Sequence, residues 1–216
     1  MLKYKTLILD FDGTLADTRE SIVQTMKFVA DTMNIKDFDE KSITNLIGLP
    51  LKTTFAKAFL LDEKNIPEAT LVYRKHYNEF AIDTISLFDD VRDTLLDFHQ
   101  NGVNLTVASS KGKEALIKIL KKQEIHHLFS FVGGEEDAIH KKPSPDIVNL
   151  IMDTNNYRPE ECLVVGDTVF DIEMGQRAHV HTCGVTYGNN TKEELEKQGP
   201  DYLIDSFENL KEIMWE

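Results

Sequence analysis

Two aspartates two residues apart, Asp10 and Asp12, end an apolar run of strand length, Thr6 to Leu9, and Gly13 breaks the chain directly after them. Side chains two apart on an extended backbone share a face, so the pair crowds like charges that a cation or a shared proton must offset. A second acidic pair closes a second apolar run: in LVVGDTVFD the strand ends at Gly166 and Asp167, and Asp171 follows one helical turn later. Between these pairs stand hydroxyls and cations. The run LTVAS ends at Ser109 and Ser110, then Lys111 and Gly112 lead into a helix, so hydroxyls and backbone N–H groups meet at a helix N-terminus suited to an anion. In Lys141-Lys142-Pro143-Ser144-Pro145, Pro143 stiffens the backbone beside Lys142 and can aim its ammonium at the strand ends, while Ser144 is expected to cap the next helix and Pro145 to take its first turn. Four carboxylates, a hydroxyl pair and a lysine converging on one edge call for a metal and a bound anion.

The elements that must position these residues alternate. After the first strand, residues 17–81 carry apolar positions at helical spacing, such as Ile22, Met26, Val29, Ala30 and Met33, with no strand pattern. Punctuation at Asn34, Gly48-Leu49-Pro50 and Ile66-Pro67 divides this insert into four expected helices. Beyond it, strands are expected at 103–108, 130–132, 162–165, 181–186 and 202–204, separated by helices at 89–100, 113–122, 145–155, 170–178 and 192–198, with a last helix reaching Trp215. Runs such as LILD and LVV are apolar throughout, as strands buried on both faces should be. The fold class is therefore α/β: a doubly wound, mostly parallel, Rossmann-like sheet with an inserted helical cap, the core spanning 1–15 and 84–216 and the cap 16–83. Ligands on such sheets gather at the carboxyl ends of the strands, where the acids, hydroxyls and lysine fall.

Composition bounds the chemistry. The 216 residues are 41% hydrophobic, enough for a full core, and carry a formal charge of −13, which disfavours nucleic acid or an anionic membrane as partner and favours divalent cations. No apolar stretch approaches membrane-spanning length and the N-terminus lacks signal architecture, so a cytoplasmic location is expected. Cys162 and Cys183 sit in apolar strand-like runs and read as reduced core thiols. The histidines share no metal-ligand spacing and read as surface or packing residues.

Asp10-Phe11-Asp12-Gly13-Thr14, Ser109, Lys142, and Gly166-Asp167 with Asp171 resemble, in order and type, the four signatures of the haloacid dehalogenase superfamily of phosphohydrolases. The resemblance spans essentially the whole chain, with the helical cap following the first signature. It implies Asp10 as nucleophile forming an aspartyl-phosphate, Asp12 as general acid and base, and Ser109 and Lys142 as grips on the phosphoryl oxygens with backbone N–H groups near Phe11 and Ser110. It further implies Mg²⁺ held by the Asp10 and Asp167 side chains and the Asp12 backbone carbonyl, with Asp171 in support.

The cap is similar to that of phosphoglycolate phosphatase-like members, through Ile47-Gly48-Leu49-Pro50-Leu51 followed by Thr54-Phe55, and Lys52 is expected to reach a second anionic group of a small phosphorylated substrate when the cap closes. Hinges are expected near Ala16 and at residues 83–86. Inorganic pyrophosphatase is the nearest alternative activity. A beta-phosphoglucomutase-like isomerase is disfavoured because Ile22 stands where that enzyme carries a histidine, and phosphonatases and dehalogenases are disfavoured because Asp12 is present. A non-catalytic phosphate-binding module, or a receiver-like module that accepts phosphate on an aspartate, is the reading from another class. A receiver needs neither the cap nor Asp12.

Overall fold

Thr6–Leu9, buried at every position, forms β1 at the centre of a six-stranded sheet in a computed structural model that describes residues 1–215. The strands following in sequence are β2 (Ala16–Asp17), β3 (Ser86–Leu87), β4 (Asn104–Ala108), β5 (Phe129–Gly133), β6 (Cys162–Gly166), β7 (His181–Val185) and β8 (Tyr202–Ile204). The large sheet has the order β5-β4-β1-β6-β7-β8 and all its pairings are parallel. The order turns at β1, so the crevice beyond its carboxyl end lies between β4 and β6, where the α/β switch-point rule puts a ligand.

The helices are α1 (Arg19–Thr32), α2 (Glu40–Thr44), α3 (Leu51–Ala58), α4 (Ile66–His76), α5 (Val91–Gln100), α6 (Lys113–Lys122), α7 (Asp146–Asn155), α8 (Val169–Arg177), α9 (Lys192–Gln198) and α10 (Leu210–Met214). Alternation along the strands divides the core between the two faces of the sheet. Leu7, Leu9, Leu163 and Val165 join Leu95 and Phe98 of α5 and Leu116 and Ile119 of α6 in one cluster. Ile8 and Val164 join Ile147 and Ile151 of α7 and Met174 of α8 in the other. Both cysteines are buried and free. Among the described residues no helix is long and apolar enough to cross a membrane.

Helices α1–α4 fill the segment between β2 and β3, with Asn34 in the left-handed region just after α1. A π-helical turn, Tyr77–Ala81, and a 3-10 turn, Ile82–Thr84, complete it. The short antiparallel pair β2–β3 was not legible in the sequence, because two residues are too few to show alternation. One local expectation is corrected. Ser144 does not cap α7; Pro145 holds the N-cap position, and the Ser144 hydroxyl donates to Asp146 Oδ1 at 2.5 Å.

Candidate active site

The turn after β1 is built around one carbonyl. Phe11 O accepts from the N–H groups of Thr14, Leu15 and Ala16, and Gly13 N donates to Ala16 O at 2.9 Å, which folds the chain back within four residues. Gly13 adopts φ +82, and a Cβ there would lie 2.2 Å from Asp167 Oδ2. Backbone strain and overpacking each cost about 1–3 kcal/mol, so Gly13→Ala is expected to destabilise the protein by roughly 2–5 kcal/mol and to push Asp167 aside, a loss read from thermal unfolding.

Four elements meet at this turn. Asp10, 4% exposed, leaves the end of β1, its N–H held by Val165 O of β6. Lys142, 7% exposed, reaches in from the loop before α7 and donates 2.6 Å bonds to Asp10 Oδ1 and Asp171 Oδ1. Asp171 sits one turn into α8, where its Oδ2 accepts from Thr168 N and Thr168 Oγ1, and Gly166 leaves it room: a Cβ at Gly166 would come within 2.3 Å of the Asp171 side chain. Asp167, fully buried, accepts from Thr14 Oγ1 at 3.2 Å through Oδ1 and from Asn189 N and Nδ2 at 2.7 Å through Oδ2.

One ammonium facing this many carboxylates leaves the cluster short of positive charge. Burial, first, and then Asp171, Asp167 and Asp12 hold the Asp10 carboxyl well above the usual carboxylate range, although Lys142 pulls it down. Burial and Asp171 push Asp167 up to about 7, against the Asn189 donors and Lys142. Lys142 is raised above its ordinary value, because Asp10 and Asp171 outweigh the desolvation that opposes its charge. Asp10 Oδ2 is buried without a hydrogen-bond partner, and oxygens of Asp10, Asp167 and Asp171 lie within 4.8 Å of one another. Hard oxygen donors, an orphaned carboxylate oxygen and unbalanced negative charge fit a divalent cation. The Asp12 side chain is not part of this cluster, and of the three acids grouped here Asp167 and Asp171 have both oxygens engaged while Asp10 keeps Oδ2 free.

Ser109 ends β4 with its N–H on Gly133 O and its hydroxyl accepting from Lys111 N at 3.2 Å. The Ser110 hydroxyl instead donates to Gly48 O of the helical segment at 2.7 Å. The Lys111 side chain is 7% exposed, and nothing in the sequence marks it out. Its ammonium lies 3.0 Å from Asp12 Oδ1, donates to the Tyr77 hydroxyl at 2.9 Å and sits 4.3 Å from the Tyr77 ring centroid. Burial opposes that charge, yet Asp12, Tyr77 and Tyr73 hold the ammonium above its ordinary value.

Asp10, Asp12 and Ser109 open onto one cavity of about 110 Å³ that is closed from the other side by α1, α3, α4 and the segment joining α2 to α3. Lys52, expected at this cavity, is not brought to it. It is two-thirds exposed and pairs with Glu63 at 3.1 Å, because successive helical residues diverge by about 100° and its neighbour Leu51 takes the inward position. Arg74, unanticipated, lines the outer end and bridges to Glu135 at 2.8 Å. The loop Tyr187-Gly188-Asn189-Asn190, to which the sequence reading gave no role, clamps Asp167 through Asn189 and reaches Thr14 O through the Tyr187 hydroxyl.

Comparison with known proteins agrees with this architecture. A phosphoglycolate phosphatase from Aliivibrio fischeri is 28% identical over 97% of this chain and 96% of its own, and a pyrophosphatase PpaX from Bacillus cereus is 26% identical over 99% and 97%. Among solved structures, a predicted phosphatase from Clostridium acetobutylicum superposes with a TM-score of 0.89 at 27% identity, covering 97% of this chain and 98% of that one. A haloacid dehalogenase-like family hydrolase from Streptococcus pneumoniae does so with a TM-score of 0.87 at 26% identity, covering 98% and 99%. The family model described as haloacid dehalogenase-like hydrolase matches residues 7–185, from β1 through β7 and so across every element that bears on the cavity; the chain belongs to the haloacid dehalogenase-like hydrolase family.

Proposed function

We propose that this protein is a Mg²⁺-dependent phosphatase that hydrolyses a small phosphomonoester through an aspartyl-phosphate on Asp10. The observation that carries the reading is the meeting of Asp10, Asp12, Ser109, Lys142 and Asp167 from separate elements at the carboxyl edge of the sheet, with Asp10, Asp12 and Ser109 facing one cavity. Asp10 attacks phosphorus in line, and the P–O bond to the departing alcohol breaks as Asp12 delivers a proton to that oxygen. Asp12 then takes a proton from water attacking the phospho-aspartate, releasing phosphate and restoring Asp10. Ser109 and Lys142 hold the phosphoryl oxygens, and Lys142 is itself fixed by Asp171. With the Ser110 hydroxyl engaged by Gly48, its backbone N–H is the group left for the anion. Mg²⁺, held by the Asp10 and Asp167 side chains and the Asp12 carbonyl, supplies the charge that lets a carboxylate approach an anionic phosphate.

Residues 16–83 act in this reading as a cap. The β2–β3 pair lies at both joints with the sheet and is the hinge, while Ser110–Gly48, Lys111–Tyr77 and Arg74–Glu135 contacts latch the closed form and keep bulk water from the phospho-aspartate. The relatives' names bring two substrates, 2-phosphoglycolate and pyrophosphate. Phosphate release from both and from a panel of simple phosphomonoesters, with Mg²⁺ and then with excess chelator, tests the reading. Metal-dependent release is expected, and its absence for every compound would leave a phosphate-binding module.

Metal binding also has a thermal signature. In the metal-free protein Asp167 holds its proton up to about pH 7, whereas an unfolded aspartate releases it near pH 3.8. The folded state therefore binds more protons between these values, and stability falls as pH rises from about 4 to 7. A cation that binds the ionised carboxylate reverses that loss. The rise in melting temperature on adding Mg²⁺ is expected to be larger at pH 7.5 than at pH 5.5, and equal shifts at both values would remove Asp167 from the metal site.

A further inference from the structure

The charges of the cavity lie mainly on its sheet-edge side, with Arg74 of α4 the cation on the facing side. Its sheet-edge wall is Asp10, Asp12, Ser109 and Lys111, while most of the facing wall is hydrocarbon: Ile22 and Met26 from α1, Leu46, Ile47 and Leu49 from the segment between α2 and α3, and Leu51 from the start of α3. Polar groups on the facing wall are few, and some are already engaged. The Thr54 hydroxyl donates to Pro50 O at 3.2 Å and the Tyr77 hydroxyl accepts from Lys111. The Asn78 side-chain amide also lines the cavity, its Oδ1 buried without a hydrogen-bond partner.

The charged side chains lining the whole cavity are four acids, Asp10, Asp12, Glu114 and Glu136, against two bases, Lys111 and Arg74. Both bases already face carboxylates. Lys111 is paired with Asp12 at 3.0 Å, and Arg74 with Glu135 at 2.8 Å and Glu136 at 3.5 Å. A carboxylate or second phosphate would have to compete with these carboxylates for either base or lie against hydrocarbon, where an unpaired charge is costly.

We propose that the substrate is the phosphomonoester of a small uncharged alcohol whose carbon skeleton, a branched chain or small ring of about four carbons, packs against the Ile22, Met26, Leu46, Ile47, Leu49 and Leu51 wall. The proposal rests on the phosphatase reading above and sets these esters ahead of 2-phosphoglycolate and pyrophosphate. Size sets the limit: an apolar cavity of about 150 Å³ accepts benzene, so this one, at about 110 Å³, takes a skeleton of about four carbons and no six-membered ring. Each apolar carbon buried there adds to transition-state binding, whereas a charged analogue gains nothing from the same wall.

The experiment compares kcat/KM of the whole protein with Mg²⁺ for isobutyl phosphate, cyclobutyl phosphate, glycerol phosphate, 2-phosphoglycolate and pyrophosphate, with p-nitrophenyl phosphate as a reporter of basal phosphatase chemistry. The alkyl esters are expected to exceed 2-phosphoglycolate by about 10-fold or more, the effect of roughly one to two buried methylenes. Their alcohols are the poorer leaving groups, so the preference cannot come from intrinsic reactivity. In Leu49→Lys and, independently, Leu46→Lys, both half-buried positions, a cation enters the wall. The ratio is expected to move about 10-fold toward 2-phosphoglycolate in whichever variant folds. If 2-phosphoglycolate or pyrophosphate leads in the wild type, or if all compounds turn over equally, the inference is overturned while the phosphatase reading stands. If no compound releases phosphate, p-nitrophenyl phosphate included, the phosphatase reading fails and takes the inference with it.

Discussion

Asp10→Asn is expected to lower phosphate release by at least about 10⁴-fold while leaving the folded protein as stable as the parent or nearly so. The two effects separate because the carboxylate serves chemistry at the expense of folding. Its position in the chain is secured by backbone: Asp10 N donates to Val165 O whatever the side chain. Its side chain is buried, held well above the usual carboxylate range by burial and by neighbouring acids, and one oxygen has no partner. An amide of the same shape removes a negative charge from that cluster, and Lys142 keeps Asp171 at 2.6 Å. A metal-free melting temperature within about 3 °C of the parent, or above it, is therefore expected, since about 1 kcal/mol moves a protein of this size by roughly 2–4 °C. The check is a single-turnover assay beside a thermal melt. Turnover above trace level in a folded variant would remove Asp10 as the nucleophile.

What the sequence disclosed follows from which interactions are local. β1 and the strands at 162–166 and 202–204 are short apolar runs bounded by Gly, Pro or acids, and period and punctuation define them within a residue. Asp10 and Asp12 were legible because they belong to one such strand, and Asp167 and Asp171 because they flank one strand–helix junction. Lys142 meets Asp10 across 132 residues and was legible through Pro143, which stiffens its loop, and through its place in order between the two acidic signatures. Lys111 had no such signal. It looked like a loop residue beside a serine pair, and its partners, Asp12 and Tyr77, come from the first strand's turn and from the helical segment, so its burial is a property of packing alone. Asn189 is similar, a turn-like residue whose work depends on where a loop after β7 passes Asp167. Lys52 failed in the opposite direction, since a helix start fixes which of two adjacent residues faces inward and the sequence did not reveal its phase.

Lys142→Met should produce the largest loss of stability, and its size should depend on pH and metal in a way that a cavity-creating substitution does not. Methionine fills nearly the volume of the lysine stem, so packing is largely kept and the change is one of charge. The parent ammonium is bound to Asp10 Oδ1 and Asp171 Oδ1, each at 2.6 Å and each nearly fully buried. Removing one partner of a buried ion pair typically costs about 3–5 kcal/mol, because the charge left behind is uncompensated. For a chain of this length that is roughly 6–20 °C in melting temperature. Lys142 now lowers the carboxyl values of both Asp10 and Asp167, so without it both rise further. The folded variant then holds protons to higher pH than the parent, and the unfolded chain is unchanged. The deficit against the parent should accordingly be small near pH 5, where the carboxyls can protonate, and grow as pH rises through 7. A divalent cation replaces part of the missing positive charge, so added Mg²⁺ is expected to recover more stability in the variant than in the parent at pH 7.5. Paired thermal melts at pH 5 and pH 7.5, with chelator and with Mg²⁺, read all three effects. A deficit independent of pH and metal would mean that Lys142 acts by packing and not as the counter-charge of the site, and it would then lose its place as the cation that receives the phosphoryl oxygens.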